Sequence, residues 1–544
     1  MKAFFRERDN SIGPDDRKSS QQEFKDVLYE SKTDTKNEDR VNNMLNTVVR
    51  EVGLQNSIDN FKENKIPGKF ILKVSLEKVN VNELLQIDYF ATLHKELDYA
   101  TNKLKAKTDR NDFDEKRIEE FSSVLESLDG DIQILKIEDN GGGLSGNGNA
   151  EDSDSDGTVA ILSNSGGSKK SNSSGSYGKG GKTAHFTSSA LTVFYESQRK
   201  RKTLSLGHTI ISTWKDSGNV RRGGNLYAVC PLMDTANLAT PIWNQGPAPS
   251  PLNRTLTIKG EAVDGLTTCC VAPVIYDGWE YQVIYAIVTS HLHALQDAEF
   301  DYELRIGQKL ITRHNLYNEF CEVQHQDFFY NSNDSFKIHY YMSLAKLKKE
   351  INTEKLTLDL KLKDKTIHTH EITLEWGKSE KIEKLCVANM GARSRDDLRN
   401  HFLLVNKGMI LRTGLIFKSS GGSYDWLKVK DFRSGYFGYV IVDESLGKYL
   451  RVCERPSHDS IQPSKLDERT QRADIPTSRA FNKLLYSLER DITSFISDLE
   501  KVDGATTSLK LFSFKGEDED EQKDTPNKTL ILIDSPAKKA RERV

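Results

Sequence analysis

At 544 residues the chain is too long for a single hydrophobic core, and domain-size scaling predicts roughly three domains. Hydrophobic residues at 36% and charged residues at 29% describe a water-soluble chain with solvated stretches, and no apolar run approaches the ~18 residues a membrane span needs. A net charge of −3 excludes a wholesale polyanion binder and leaves room only for a local basic patch.

In chain order, residues 1–66 read as a polar extension with one helix expected at 41–52; Met1 to Asp16 is charged and carries no secretory leader pattern. A first strand is expected at 69–75 and a helix at 81–105, with a charged helix or loop at 106–128. A short strand at 132–137 runs into the turn Asp139-Asn140-Gly141-Gly142-Gly143. Residues 144–181 are rich in Gly, Ser, Asn and Asp, with little to bury, and end in Gly175-Ser-Tyr-Gly-Lys-Gly-Gly181 before a helix start at Lys182. Strands alternate with turns from 191 to 273, a helical period returns at 279–294, and 300–450 reads as a second α/β region. Phe481, Leu484, Leu485, Leu488, Ile492, Phe495, Ile496 and Leu499 share one face of a helix over 479–501. The domains expected are 1–66, 67–295 with an insert at 144–181, 296–470, a helix at 471–502 and a polar tail at 503–544.

Two glycine motifs carry the chemistry. A strand ending in Asp139-x-Gly141-x-Gly143 can hold a carboxylate at a pocket floor, where the glycines let the backbone approach a flat ligand. Gly175-x-x-Gly178-x-Gly180 leads into a helix, and successive backbone N–H groups at a helix start bind anions. Lys182 adds a charge there. A Walker P-loop fails on spacing, because Ser176 stands where its first glycine belongs.

The order of these motifs, with a polar segment between them, resembles the GHKL ATPases: DNA gyrase, MutL, MORC and the ninety-kilodalton heat-shock chaperones. The resemblance implies an α/β (α+β) Bergerat sandwich, a transducer-like α/β domain after it and a C-terminal helix. It implies ATP and Mg²⁺ as cofactors. Asp139, Gly141 and Gly143 match the adenine motif; Gly175, Tyr177, Gly178, Gly180 and Lys182 match the lid, which Ser168 and Lys169 would open. Residues 144–181 are then expected to order on nucleotide. Asp264-Gly265-Leu266-Thr267-Thr268 is similar to the downstream Gly-Thr motif, with Thr267 or Thr268 supporting the adenine contact. The family also places an Asn for Mg²⁺ and, one turn earlier, a Glu for water on a helix before Asp139. In the helix at 81–105, Glu96 fits the base, but Ala100 stands four residues on; Asp98 and Asn102 have the spacing with a shorter acid. The stretch 403–412 resembles the strand–turn–strand that returns a lysine to the terminal phosphate, here Lys407 with Arg412 behind it.

The middle and later segments also resemble uncharacterised bacterial ATP-binding proteins found in defence clusters. That resemblance implies a conformational machine in anti-phage defence, dimerising on ATP and acting with DNA or with a nuclease or methyltransferase partner. A nucleotide-sensing adaptor with little hydrolysis is the alternative. Six cysteines without a CxxC pair imply neither a zinc site nor a disulfide framework, which fits a reducing cytoplasm. Cys269 and Cys270 are expected in one strand, facing opposite sides. His291 and His293, the contiguous Ser457-His458-Asp459 and the basic run 199–202 read as structural or solvated.

Overall fold

The computed structural model describes residues 49–144, 188–215, 221–229, 250–272, 277–297 and 299–323, with short stretches at 6–7, 184–185 and 248 and further segments between 367 and 501. The lid segment after Leu144, with Ser168, Lys169, Gly175, Tyr177, Gly178, Gly180 and Lys182, lies outside the described residues, as do Lys407, Arg412 and the tail from 502.

The chain enters through a short strand β1 (Arg6–Glu7), then a π-helical turn (Val49–Gln55) that runs directly into α1 (Asn56–Glu63). Next come β2 (Phe70–Asn80), α2 (Val81–Leu85), α3 (Asp88–Lys105), α4 (Asp112–Glu126) and β3 (Asp131–Asp139). The single helix expected at 81–105 is two, because Ile87 is extended (φ −81°, ψ 115°) and restarts the helix. The charged stretch after it is a helix, started by Asn111, whose side chain accepts from the N–H groups of Phe113 and Asp114 at 3.0 Å each. β4 (Thr192–Arg199), β5 (Lys202–Lys215), β6 (Arg221–Val229), a small hairpin of β7 (Thr257–Ile258) and β8 (Glu261–Ala262), and β9 (Gly265–Ala272) follow. α5 (Trp279–Gln296), β10 (Tyr302–Ile306), β11 (Lys309–Thr312) and α6 (Leu316–Val323) complete this unit.

Nine strands form one sheet in the order β1-β6-β5-β4-β9-β3-β2-β10-β11. Every pairing is antiparallel except β2 with β10. The fold is therefore mixed α/β around a mostly antiparallel sheet. Strand alternation sorts the side chains between two cores. Leu135, Ile137, Val193, Tyr195 and Cys270 face the π turn, α1, α5 and α6. Ile132, Ile134, Phe194 and Cys269 face α2, α3 and α4. Both faces are thus covered, which is why β3 reads as a near-continuous apolar run, and the two adjacent cysteines do face opposite sides.

Two boundaries move. Val49, Val52, Leu54, Ile58 and Phe61 are core residues, so the unit begins well before residue 66. β10 and β11 belong to its sheet, so it runs past residue 295. A second sheet has the order β12 (Ile367–Trp376), β13 (Ser379–Gly391), β18 (Gly435–Ile441), β14 (His401–Asn406), β15 (Met409–Ile410); β16 (Ser419–Ser420) and β17 (Ser423–Tyr424) pair separately. The β14–β15 hairpin docks on α5. Val405 and Met409 are buried, Ala294 N donates to Gly408 O at 3.1 Å, and a Cβ on Gly408 would lie 2.7 Å from that of Ala294. Further on, a short helix α7 (Ser464–Asp467) is described, and the described positions between 478 and 501 are helical, with Phe481 buried against Tyr449. Among the described residues no helix is long and apolar enough to cross a membrane.

Candidate functional site

β3 ends at Asp139, and the chain turns away through Asn140 and three glycines. Asn140 replaces a strand partner: its Oδ1 accepts from Ile71 N at 2.7 Å and its Nδ2 donates to Lys69 O at 2.9 Å. Gly143 takes φ +69°, and a Cβ there would lie 2.6 Å from Gln198 O. At Gly141 a Cβ would lie 2.9 Å from Ser57 O and 3.0 Å from the Asp139 carboxylate. The turn is wedged between α1 and β4, and Asn64 Nδ2 and Leu144 N fasten it to Gly141 O (3.1 Å) and Ser197 Oγ (2.9 Å) respectively.

The Asp139 carboxylate is almost fully buried. Its Oδ2 accepts from Ser57 Oγ at 2.7 Å; its Oδ1 accepts from Gly141 N at 2.7 Å and from Leu266 N at 3.4 Å. Burial pushes this carboxyl above the ordinary aspartate value, opposed by the nearby Arg254 charge and these donors. A carboxylate offers about four acceptor positions. Three are taken here, and a further donor from a ligand can use the remaining one.

The helix supplying Ser57 is α1, which sequence reasoning passed over as part of a polar extension. It brings Asn56, Asn60 and Asn64 to the same end of the sheet, and Asn64 bonds the glycine turn directly. Before it, the π turn carries Glu51, Gly53 and a buried Gln55. Gly53 lets this turn lie against the sheet, since a Cβ there would meet Ile137 at 3.2 Å and Leu72 at 3.5 Å. Glu51 and Asn56 stand five residues apart, not the four of the family spacing. A π turn adds one residue per turn, so positions five apart stack as positions four apart do in an α-helix.

The helix on which the magnesium pair was expected lies elsewhere. Glu96, Asp98 and Asn102 lie on α3, whose buried face packs on the opposite side of the sheet from Asp139. Asp98 and Asn102 are exposed there. The two threonines also separate. Thr267 pairs with Glu138, and its Oγ1 accepts from Arg254 Nη1 at 3.0 Å, away from the carboxylate. Thr268 pairs with Ile137 and shares the face of Asp139. The group on β9 that meets the carboxylate is the Leu266 N–H. Gly265 permits that approach, since a Cβ would lie 1.8 Å from Asp139 O.

Behind this end of the sheet two buried carboxylates hold Ala248 and residues 254–256. Glu196 accepts from Ala248 N and Arg254 N at 3.0 Å each. Glu138 accepts from Thr255 N (2.6 Å), Thr255 Oγ1 (2.8 Å) and Leu256 N (2.8 Å), and pairs with Lys73 at 3.1 Å. Burial pushes Glu138 up, but the Thr255 N–H, the Lys73 charge and the remaining donors outweigh it, so its carboxyl lies below the ordinary glutamate range. A depressed folded value means stability that is present above the unfolded pKa and lost as pH falls through the folded one. Glu138→Gln is expected to cost about 2–3 kcal/mol at neutral pH, by leaving buried donors and Lys73 poorly matched. Urea unfolding at neutral pH and in mild acid checks this, with the gap between parent and variant narrowing in acid.

No family model matches this chain, and no curated protein matches it. Among solved structures, the B-subunit of the DNA gyrase from Myxococcus xanthus is similar at 10% identity over 66% of this chain and 84% of that one, with a TM-score of 0.26. A likeness of that size leaves the functional reading to rest on the chemistry of the site.

Proposed function

We propose that this chain is an ATP-binding protein of the GHKL type, in which Asp139 accepts a hydrogen bond from the adenine amino group. The observation that carries the reading is the buried Asp139 carboxylate. It is held by Ser57, Gly141 and Leu266, under a turn whose glycines admit nothing bulkier. A desolvated carboxylate with acceptor capacity left over fits an exocyclic amine, and burying it unmatched would be costly.

Asn56 and Glu51 replace Asn102 and Glu96 or Asp98 in the proposal. Asn56 begins α1 beside Ser57, and Glu51 stands one π turn before it. Among the described residues no three His, Cys, Asp or Glu side chains gather as a metal site. Mg²⁺ would keep several waters and take one or two protein ligands plus nucleotide phosphates. When bound, the cation would offset phosphate charge; Asn56 would hold it and Glu51 would orient and deprotonate water. The β14–β15 hairpin docks on α5, and α5 packs on the π turn. On the sequence resemblance, Lys407 would reach the terminal phosphate and the glycine motif 175–180 would wrap the phosphates.

The presence of a Glu–Asn pair supports hydrolysis over a purely sensing adaptor. Dimerisation on ATP, and action with DNA or with a nuclease or methyltransferase in bacterial defence, belong to the same proposal on the strength of the sequence resemblance. Phosphate release by the purified protein with Mg²⁺ and ATP, with and without DNA, tests it. Turnover that requires the cation is expected; no turnover under either condition moves the reading to the sensing adaptor.

A further inference from the structure

Arg254 lies behind the pocket floor, on the segment clamped by Glu138 and Glu196. Its Nη1 donates to Thr267 Oγ1 at 3.0 Å and its Nη2 donates to the main-chain oxygen of Asp139. It thereby ties the last residue of β3 to β9 at the point where Gly265 removes any side chain; a Cβ on Gly265 would lie 2.5 Å from Nη2. Its own N–H donates to Glu196, so backbone and guanidinium are both fixed. A half-buried guanidinium with this many restraints is costly to place, and a solvent-facing role would not require it.

We propose that Arg254 is a positioning residue for the base-binding carboxylate: it fixes the end of β3 through the Asp139 carbonyl and sets a permanent positive charge behind the Asp139 side chain. This rests on the nucleotide reading of Asp139 for its purpose and on the bridge alone for its geometry. The charged groups around the pair are Glu138 on β3 with Lys73 on β2, Glu196 on β4, and Asp264 just before β9. The α1 contact to the carboxylate is the neutral Ser57 hydroxyl, with Asp59 buried on the same helix. Burial raises the Asp139 carboxyl, and the Arg254 charge is the largest influence against it, ahead of the Ser57, Gly141 and Leu266 donors; Glu138, Glu196 and Asp264 act on Arg254 and favour its charged form.

The test has two independent readouts on the full chain. The first follows the Asp139 carboxyl by ¹³C NMR in selectively labelled protein without nucleotide, identified by its loss in Asp139→Asn. Arg254→Gln is expected to move its titration upward by roughly one pH unit or more, and Arg254→Lys, which keeps the charge, to restore most of it. The second is ATP affinity against pH. In Arg254→Gln it is expected to fall about tenfold as pH drops from about 8 to 6, with a much smaller change in the parent. If the parent binds no ATP while the carboxyl moves, the nucleotide reading fails and the Arg254–Asp139 coupling stands. If ATP binds and the carboxyl titrates identically in parent and Arg254→Gln, the coupling is overturned and the nucleotide reading stands. Should Arg254→Gln not fold, Thr267→Val releases one arm of the bridge and is expected to weaken ATP about three- to tenfold; unchanged affinity there overturns the positioning role.

Discussion

Glu51→Gln is expected to lower ATP turnover by about 10²–10⁴-fold while leaving ATP affinity within a few-fold of the parent, the usual size of a lost general base. The expectation follows from the π turn. In a regular α-helix a residue five before Asn56 would be rotated well off its face, and the position four before is Val52, which is buried in the core and cannot act on water. The π turn Val49–Gln55 has i→i+5 spacing, so backbone positions five apart, as 51 and 56 are, stack along it. Glu96→Ala and Asp98→Ala, on the far side of the sheet, are expected to turn over at the parental rate. Steady-state phosphate release on the three variants decides between the helices. Parental turnover in Glu51→Gln would remove the π turn from the catalytic account, and a large loss in Glu96→Ala would return it to α3.

Gly265→Ala is expected to be the most damaging single-methyl change at the site. The added carbon would fall 1.8 Å from Asp139 O and 2.5 Å from Arg254 Nη2. The first is backbone and the second belongs to a guanidinium held by two hydrogen bonds, so β9 must move away from β3. Overpacking of this kind costs typically about 1–3 kcal/mol and can exceed it. The shift also withdraws the Leu266 N–H from the carboxylate, so ATP affinity is expected to fall by about tenfold or more. Gly68→Ala is the control. Gly68 has φ +89° but nothing within 4 Å of the added carbon, so only backbone strain of about 1 kcal/mol is expected, without an effect on ATP. Equal behaviour of the two variants in urea unfolding and in ATP titration would contradict the close approach of β9 and β3.

Some of this was legible beforehand and some could not be. β3 and its glycine turn stood out because a strand covered on both faces is apolar throughout and an abrupt Asp-Gly turn must end it. The helical character of 81–105 was legible too. Periodicity predicts a helix, not which side of a sheet it covers, and α3, where the magnesium pair was expected, covers the side opposite Asp139. α1 escaped notice for two physical reasons. It has only eight residues, five of them Asn, Asp, Lys or Glu, and the turn before it breaks the four-residue rule. The threonines of β9 show the same limit. Alternation puts Thr267 and Thr268 on opposite faces, but only the register with β3 reveals that Thr267 serves Arg254. Sheet order is a further case, since β10 pairs with β2 across more than two hundred residues of chain. The strand that does this also extends the first unit beyond the boundary that composition indicated.

The most direct measurement is a calorimetric titration of ATP, with Mg²⁺, into the parent and into Asp139→Asn. Asparagine keeps the size of the side chain and an oxygen for Ser57 or Gly141, and it relieves the cost of a buried charge, so the fold is expected to stay within about 1 kcal/mol of the parent. The charged acceptor for the adenine amine is lost, which is expected to weaken ATP by ~1.5–3 kcal/mol, or roughly ten- to a hundredfold. Saturable binding by the parent with that loss in the variant is the predicted result. Unchanged affinity in a folded Asp139→Asn protein, or no binding by the parent, would contradict the assignment of Asp139 as the base-binding carboxylate.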